Sequence, residues 1–175
     1  GAKYAIGKWL FALDTSYTRL VNQPHYGLTY QEILPAFSIQ RFIPVTDSLL
    51  ITIADQVDYH FSDQPYNANT SGTATEINNR LDNIINLTLT WRAADKLYIQ
   101  PGYRFVFTNY RYNTLQDSDR NDYLNSVGVT VSYFIQDNYS FRAFFNYSAR
   151  CSDDPLVAAY HETNEGAGVS LNILF

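Results

Sequence analysis

Hydrophobic character in this chain of 175 residues alternates with a period of two, in segment after segment. From Leu81 to Trp91 the odd positions read Leu81, Asn83, Ile85, Leu87, Leu89 and Trp91, while the even positions are polar except for Ile84. Successive side chains of a strand point to opposite faces, so this run reads as a strand with one apolar face. The pattern recurs over Leu97–Asn109, Tyr123–Ile135, Tyr139–Ala149 and Ala167–Phe175. In the first half it appears over Ile33–Ile39 and over Leu49–Phe61, where Asp55 interrupts the apolar set. It is weakest over Lys3–Tyr17. These segments predict eight strands, and no stretch of ten residues shows helical periodicity.

The connections alternate in length. Short turns are expected at Pro44–Ser48, Ala93–Lys96 and Gln136–Asn138. Long polar loops are expected at Ser16–Thr29, Ser62–Thr75, Tyr112–Asn121 and Arg150–Glu165, where Asp, Asn, Ser, Gly and Pro cluster. This is an up-and-down meander in a single domain covering residues 1–175, with tight turns at one end and long loops at the other. The chain carries no methionine, so a processed protein or the C-terminal part of a larger barrel is expected.

Composition narrows the class. Aromatic residues make up 16% of the chain and charged residues only 17%, yet the mean hydropathy is slightly negative. The longest apolar runs, Trp9–Leu13 and Leu156–Tyr160, are far short of the roughly 18 residues of a membrane-spanning helix. A net charge of −5 argues against nucleic-acid partners. The single cysteine, Cys151, permits neither an intrachain disulfide nor a zinc site of several thiolates, and reads as an incidental loop thiol.

Size decides which face points inward. The apolar faces carry Trp9, Phe11, Phe37, Tyr59, Trp91, Tyr103, Phe105, Phe107, Tyr133, Phe141, Phe145 and Tyr147. An eight-stranded barrel has an interior only just wide enough for side chains, and these rings would overfill it. The opposite faces hold Gly102, Gly128, Gly166, Gly168, Ala36 and Ala54 with many Ser and Thr. They also hold Arg80, Arg92, Arg104, Arg142 and Arg150, with Asp58, Asp82 and Glu32 as acidic partners, a set suited to a paired filling of a narrow lumen. The expectation is therefore apolar side out, facing lipid. Six segments reach the 9–11 residues of a spanning strand, and Trp91, Tyr98, Tyr110, Tyr133 and Tyr139 near strand ends suit interfacial girdles. Asp55 would be costly on a lipid face, and a bulge turning it inward is expected.

With these features the chain resembles the outer-membrane β-barrels of Gram-negative bacteria along its whole length. The most specific element is the terminal segment Gly166-Ala-Gly-Val-Ser-Leu-Asn-Ile-Leu-Phe175, an alternating strand ending on phenylalanine. It resembles the signal read by the outer-membrane insertion machinery, with Val169, Leu171, Ile173 and Phe175 as the read positions. The family usually has glycine five residues before the terminal aromatic, where this chain has Ser170. The resemblance implies short periplasmic turns, long outer loops, both termini in the periplasm, and contact with outer-membrane lipid and lipopolysaccharide. A protein partner or an oligomer would engage the loops.

Three constellations invite chemical readings. Asp58-Tyr59-His60 and Asp117-Ser118-Asp119 match the residue types of omptin-type rim proteases, in reversed order. Asp-x-His also arises whenever two polar residues share a face. Ser152, Asp153, Asp154 and His161 supply the types of a hydrolase or lipid-modifying site, without a nucleophile motif. Asp117, Asp119 and Asn121 open like a calcium loop, but Asp122 replaces the glycine and Val129 the closing glutamate, which leaves a weak divalent-ion candidate. No cofactor is expected. The sequence thus predicts a non-enzymatic outer-membrane barrel with a structural, anchoring or surface-binding role. A porin-like channel for small solutes and a soluble lipocalin-like binder are the alternatives.

Overall fold

A computed structural model describes residues 1–22, 27–63, 79–110, 120–136, 139–155 and 157–171. The protein is all-β: one antiparallel sheet in which every strand pairs with its neighbours in sequence. Its strands are β1 (Ala2–Ile6), β2 (Trp9–Asn22), β3 (Gly27–Thr46), β4 (Leu49–Asp63), β5 (Arg80–Ala94), β6 (Leu97–Tyr110), β7 (Arg120–Gln136), β8 (Tyr139–Ser152) and β9 (Tyr160–Leu171). The two edges are β1 and β9, and among the described residues no pairing joins them.

Among the described residues there are nine strands rather than the expected eight. The weakly alternating Lys3–Tyr17 segment is a hairpin, with Ile6 paired to Trp9 across Gly7 and Lys8. Gly7 has φ of +57°, the left-handed conformation that a two-residue hairpin turn requires and that glycine adopts without strain. The odd count removes the argument that both termini lie at one end. The strands are also longer than their apolar alternation. β2 and β3 pair out to Asn22 and Gly27, and β9 begins at Tyr160, so the loops expected at Ser16–Thr29 and Arg150–Glu165 are largely ladder.

The tight turns repeat one construction. Asp47–Ser48 and Asp95–Lys96 are two-residue connections, each preceded by a register shift, between Pro44 and Thr46 and between Arg92 and Ala94. A third shift lies between Phe134 and Gln136. The carbonyl of the second turn residue accepts a bond from the next hairpin: Phe42 N–H to Lys8 O at 2.9 Å, Arg92 N–H to Ser48 O at 2.8 Å, Phe134 N–H to Lys96 O at 2.9 Å. Bulges of this kind raise the local twist, which helps a sheet curve.

Directly paired residues lie on the same face of an antiparallel sheet, so the register carries one apolar face across all nine strands. Across the middle it runs Leu13, Phe37, Val57, Asn83, Phe107, Tyr123, Cys151. That face is exposed: Leu13, Phe37, Ile53, Leu87, Trp91, Val127, Phe141 and Val169 all present large apolar surface. The other face holds the buried side chains Asp58, His60, Asp82, Ile84, Val106, Asp122 and Ser126. Asp55 corrects one expectation. The register runs through it unbroken, opposite Ile39 and Ile85, so no bulge turns it inward. It stays on the apolar face and accepts a hydrogen bond from Asn83 Nδ2 at 3.0 Å.

Candidate functional site

The polar face is layered along the strands. At the end away from the tight turns lies a charged cluster, followed by an apolar layer, an open groove and an aromatic pair.

His60 centres the first part of the cluster. Its position on β4 is set between β3 and β5, so its ring meets one acid from each: Nδ1 lies 2.5 Å from Glu32 Oε1, and Nε2 2.9 Å from Asp82 Oδ2. Arg80, paired with His60 in the register, donates to Asp82 from Nε at 3.2 Å. Asp58, beside Asp82 in the register, accepts two bonds of 2.8 Å from Gln56 Nε2. The second part centres on Asp122 in β7. Its Oδ2 accepts from Arg120 Nη2 at 3.1 Å and from Arg150 Nη2. The guanidinium of Arg120 also stacks 3.7 Å from the centre of the Tyr110 ring. Asp122 is only 4% exposed, and its Oδ1 makes no hydrogen bond.

Next in the register come Ile84 and Val106, paired and both buried, with Leu124 against Val106. Beyond them is a groove of about 820 Å³, lined from β5 to β9 by residues that include Asn86, Gln100, Arg104, Ser126, Arg142, Phe144 and Asn146. Near the turns, Tyr98 and Phe134 meet edge to face with centroids 5.5 Å apart. Tyr98 and Tyr110 therefore belong to the polar face, where even-numbered positions of β6 point, and not to an outer girdle. Trp91, Tyr133 and Tyr139 do lie exposed on the apolar face.

Of the arginines and acids singled out in the sequence, the structure brings together Arg80 and Asp82. It gives Arg150 an acid the sequence reading missed, Asp122, and leaves Asp58 to Gln56. Arg92, Arg104 and Arg142 make no ion pair among the described residues. Glu32 binds His60 rather than an arginine. The clusters were hidden from the sequence because Glu32, His60 and Asp82 are 28 and 22 residues apart, and only strand register brings them level.

The protease-like Asp58–His60 pair shares the polar face, but His60 is engaged by Glu32 and Asp82. Asp117 and Asp119 lie outside the described residues. Ser152 and His161 sit on opposite faces: Ser152 pairs with Asp122, whereas His161 pairs with Ala149 and hydrogen-bonds the Tyr147 hydroxyl at 2.9 Å. A Ser–His dyad is excluded by that parity. Asn121 ties the strand ends together. Its N–H donates to Asp153 Oδ1 and its Nδ2 to Asp153 Oδ2, both at 2.8 Å. These bonds, the backbone N–H first, hold the exposed Asp153 carboxyl below the usual carboxylate range. Asn121 Oδ1 accepts from Asn109 at 2.8 Å, so its amide is already engaged. Among the described residues no group of three His, Cys, Asp or Glu is arranged to hold a metal ion. Cys151 is an exposed free thiol. Val169 and Leu171 extend β9, and Ile173 and Phe175 lie outside the described residues.

No protein-family model and no curated protein sequence matches this chain.

Proposed function

We propose that the chain is a bacterial outer-membrane β-barrel whose role is structural, anchoring or surface-binding, exerted through the segments that join its strands away from the tight turns. The observation that carries this reading is the inversion of burial: one continuous face of Trp, Phe, Tyr, Leu, Ile and Val is exposed, and the polar face is the more buried. Contiguous apolar patches of this extent on a water-facing monomer are rare. The chain exposes 12,228 Å², where a globular protein of its mass would expose about 8,700 Å². Lipid is the environment that suits such an exterior, and strands of 12 to 20 residues in β2 to β9 exceed a spanning length. In this reading the sheet closes at its β1 and β9 edges, against each other or through added strands. A soluble lipocalin-like barrel would need the apolar face turned inward.

The groove supports a second reading, a passive channel for small solutes. The buried Ile84–Val106 layer between the groove and the charged cluster favours the non-conducting role. Flotation with phospholipid vesicles followed by planar-bilayer recording tests both. The proposal expects co-flotation that withstands a urea wash and no unitary conductance. Steady conductance steps would favour the channel, and a chain left at the bottom of the gradient would overturn both.

A further inference from the structure

We infer that the groove on the polar face is a binding site for small organic anions, with the guanidinium groups of Arg104 and Arg142 as its recognition elements. The inference rests on the barrel reading for its setting, since it takes the polar face as the interior. Its residues are independent of that reading.

Three arginines of this face, Arg80, Arg120 and Arg150, are each matched to an aspartate. Arg104 and Arg142 are not: neither makes an ion pair among the described residues, and both are exposed. Both line the groove of about 820 Å³, and no acidic residue lines it with them. A chain of net charge −5 thus keeps a pocket of local charge +2. Unmatched guanidinium groups along a groove attract oxyanions and present paired N–H donors in the geometry of a carboxylate or phosphate.

The surroundings complete the recognition. Asn86 adds an amide along the same wall, Gln100 and Asn146 each give one amide N–H to Thr90 and Ser148 at 3.1 Å and keep the second, and Phe144 supplies an apolar flank. Gly102 pairs with Gly128 across β6 and β7, where a Cβ on Gly128 would come within 2.9 Å of Asn146 Oδ1. Missing side chains at this pair lower the floor and leave the room between the two arginines. Arg104 is level with Ser126 and Arg142 with Ser132, six residues apart along β7. That separation is about 20 Å of strand at the backbone, so the two guanidinium groups mark two stretches of one elongated groove. The site therefore suits a solute of several atoms bearing an oxyanion, better than a monatomic ion.

The test uses the full chain in detergent micelles at low salt, titrated calorimetrically with citrate, with inorganic phosphate and with sucrose. Citrate is expected to bind and sucrose not to. Phosphate binding as tightly as citrate would assign the phosphate class, and citrate alone the carboxylate class. Arg104→Gln and Arg142→Gln should each weaken binding about tenfold or more, as expected for the loss of one charge-assisted partner. Arg92→Gln, which removes an unmatched arginine outside the groove, should change it less than about twofold. If a Gln variant loses its strand signature in circular dichroism, the Lys variant reads the same position, keeping the charge but losing the fork. Failure of both anions to bind, unchanged binding in both Gln variants, or an equal loss in Arg92→Gln would overturn the inference. Citrate binding by a chain that does not enter vesicles would sink the membrane reading and leave the groove standing. Vesicle insertion without anion binding would sink the groove alone.

Discussion

Leu87→Arg is expected to destabilise the chain in phospholipid vesicles by about 2–4 kcal/mol, the cost of a cationic side chain on the lipid face near the bilayer midplane. Leu87 is the right position because it sits in the middle of β5, paired with Ile53 on one side and Tyr103 on the other, with its side chain on the exposed apolar face. In water an exposed substitution of this kind would shift stability by no more than about 0.5 kcal/mol. The size of the effect therefore reports the solvent that the face meets. Equilibrium unfolding by urea in vesicles measures it. Leu87→Ala separates lost apolar area from added charge, and Asp95→Arg, in an exposed turn, should be close to neutral. A Leu87→Arg protein as stable as Asp95→Arg would place this face in water.

The second large effect is expected at Asp122. Removing its carboxylate as Asp122→Ala leaves Arg120 and Arg150 facing each other without their common counter-ion. Removing one partner of a buried charged group costs about 3–5 kcal/mol. The lower end applies here, because both guanidiniums keep access to water. Arg150→Ala should cost less, about 1–2 kcal/mol, since Asp122 retains Arg120. The same unfolding measurement ranks the two. If Arg150→Ala is the more damaging, the cluster is not organised around Asp122.

The period-two pattern was enough to read the class and the two faces, because a ladder with unbroken register preserves parity from strand to strand. Where a two-residue turn has no register shift beside it to compensate, parity reading fails. Ala2, Tyr4 and Ile6 share a face with Leu13, Phe11 and Trp9 only because a two-residue turn at Gly7–Lys8 switches even to odd. Read as one strand, Lys3–Tyr17 looks merely irregular. The glycine was the available signal for the turn.

Strand length was underestimated for a related reason. At the start of β9 both faces are polar, so residues such as Glu162 and Thr163 pair in the ladder without contributing any alternation. The charge clusters were the least legible. Arg80, Arg104, Arg142 and Arg150 look equivalent in sequence, all even-numbered and all on the polar face. Only their level along the strands separates the two matched to acids from the two that face the groove.

Trp9 and Trp91 are the only tryptophans, and both lie on the apolar face near the tight-turn end. Their fluorescence gives the most direct test of the central claim, that this face meets lipid. In vesicles of phospholipid brominated along the acyl chains, the account predicts strong quenching of the emission, a blue-shifted maximum, and little further quenching by aqueous acrylamide. Emission insensitive to the brominated chains and freely quenched by acrylamide would contradict it.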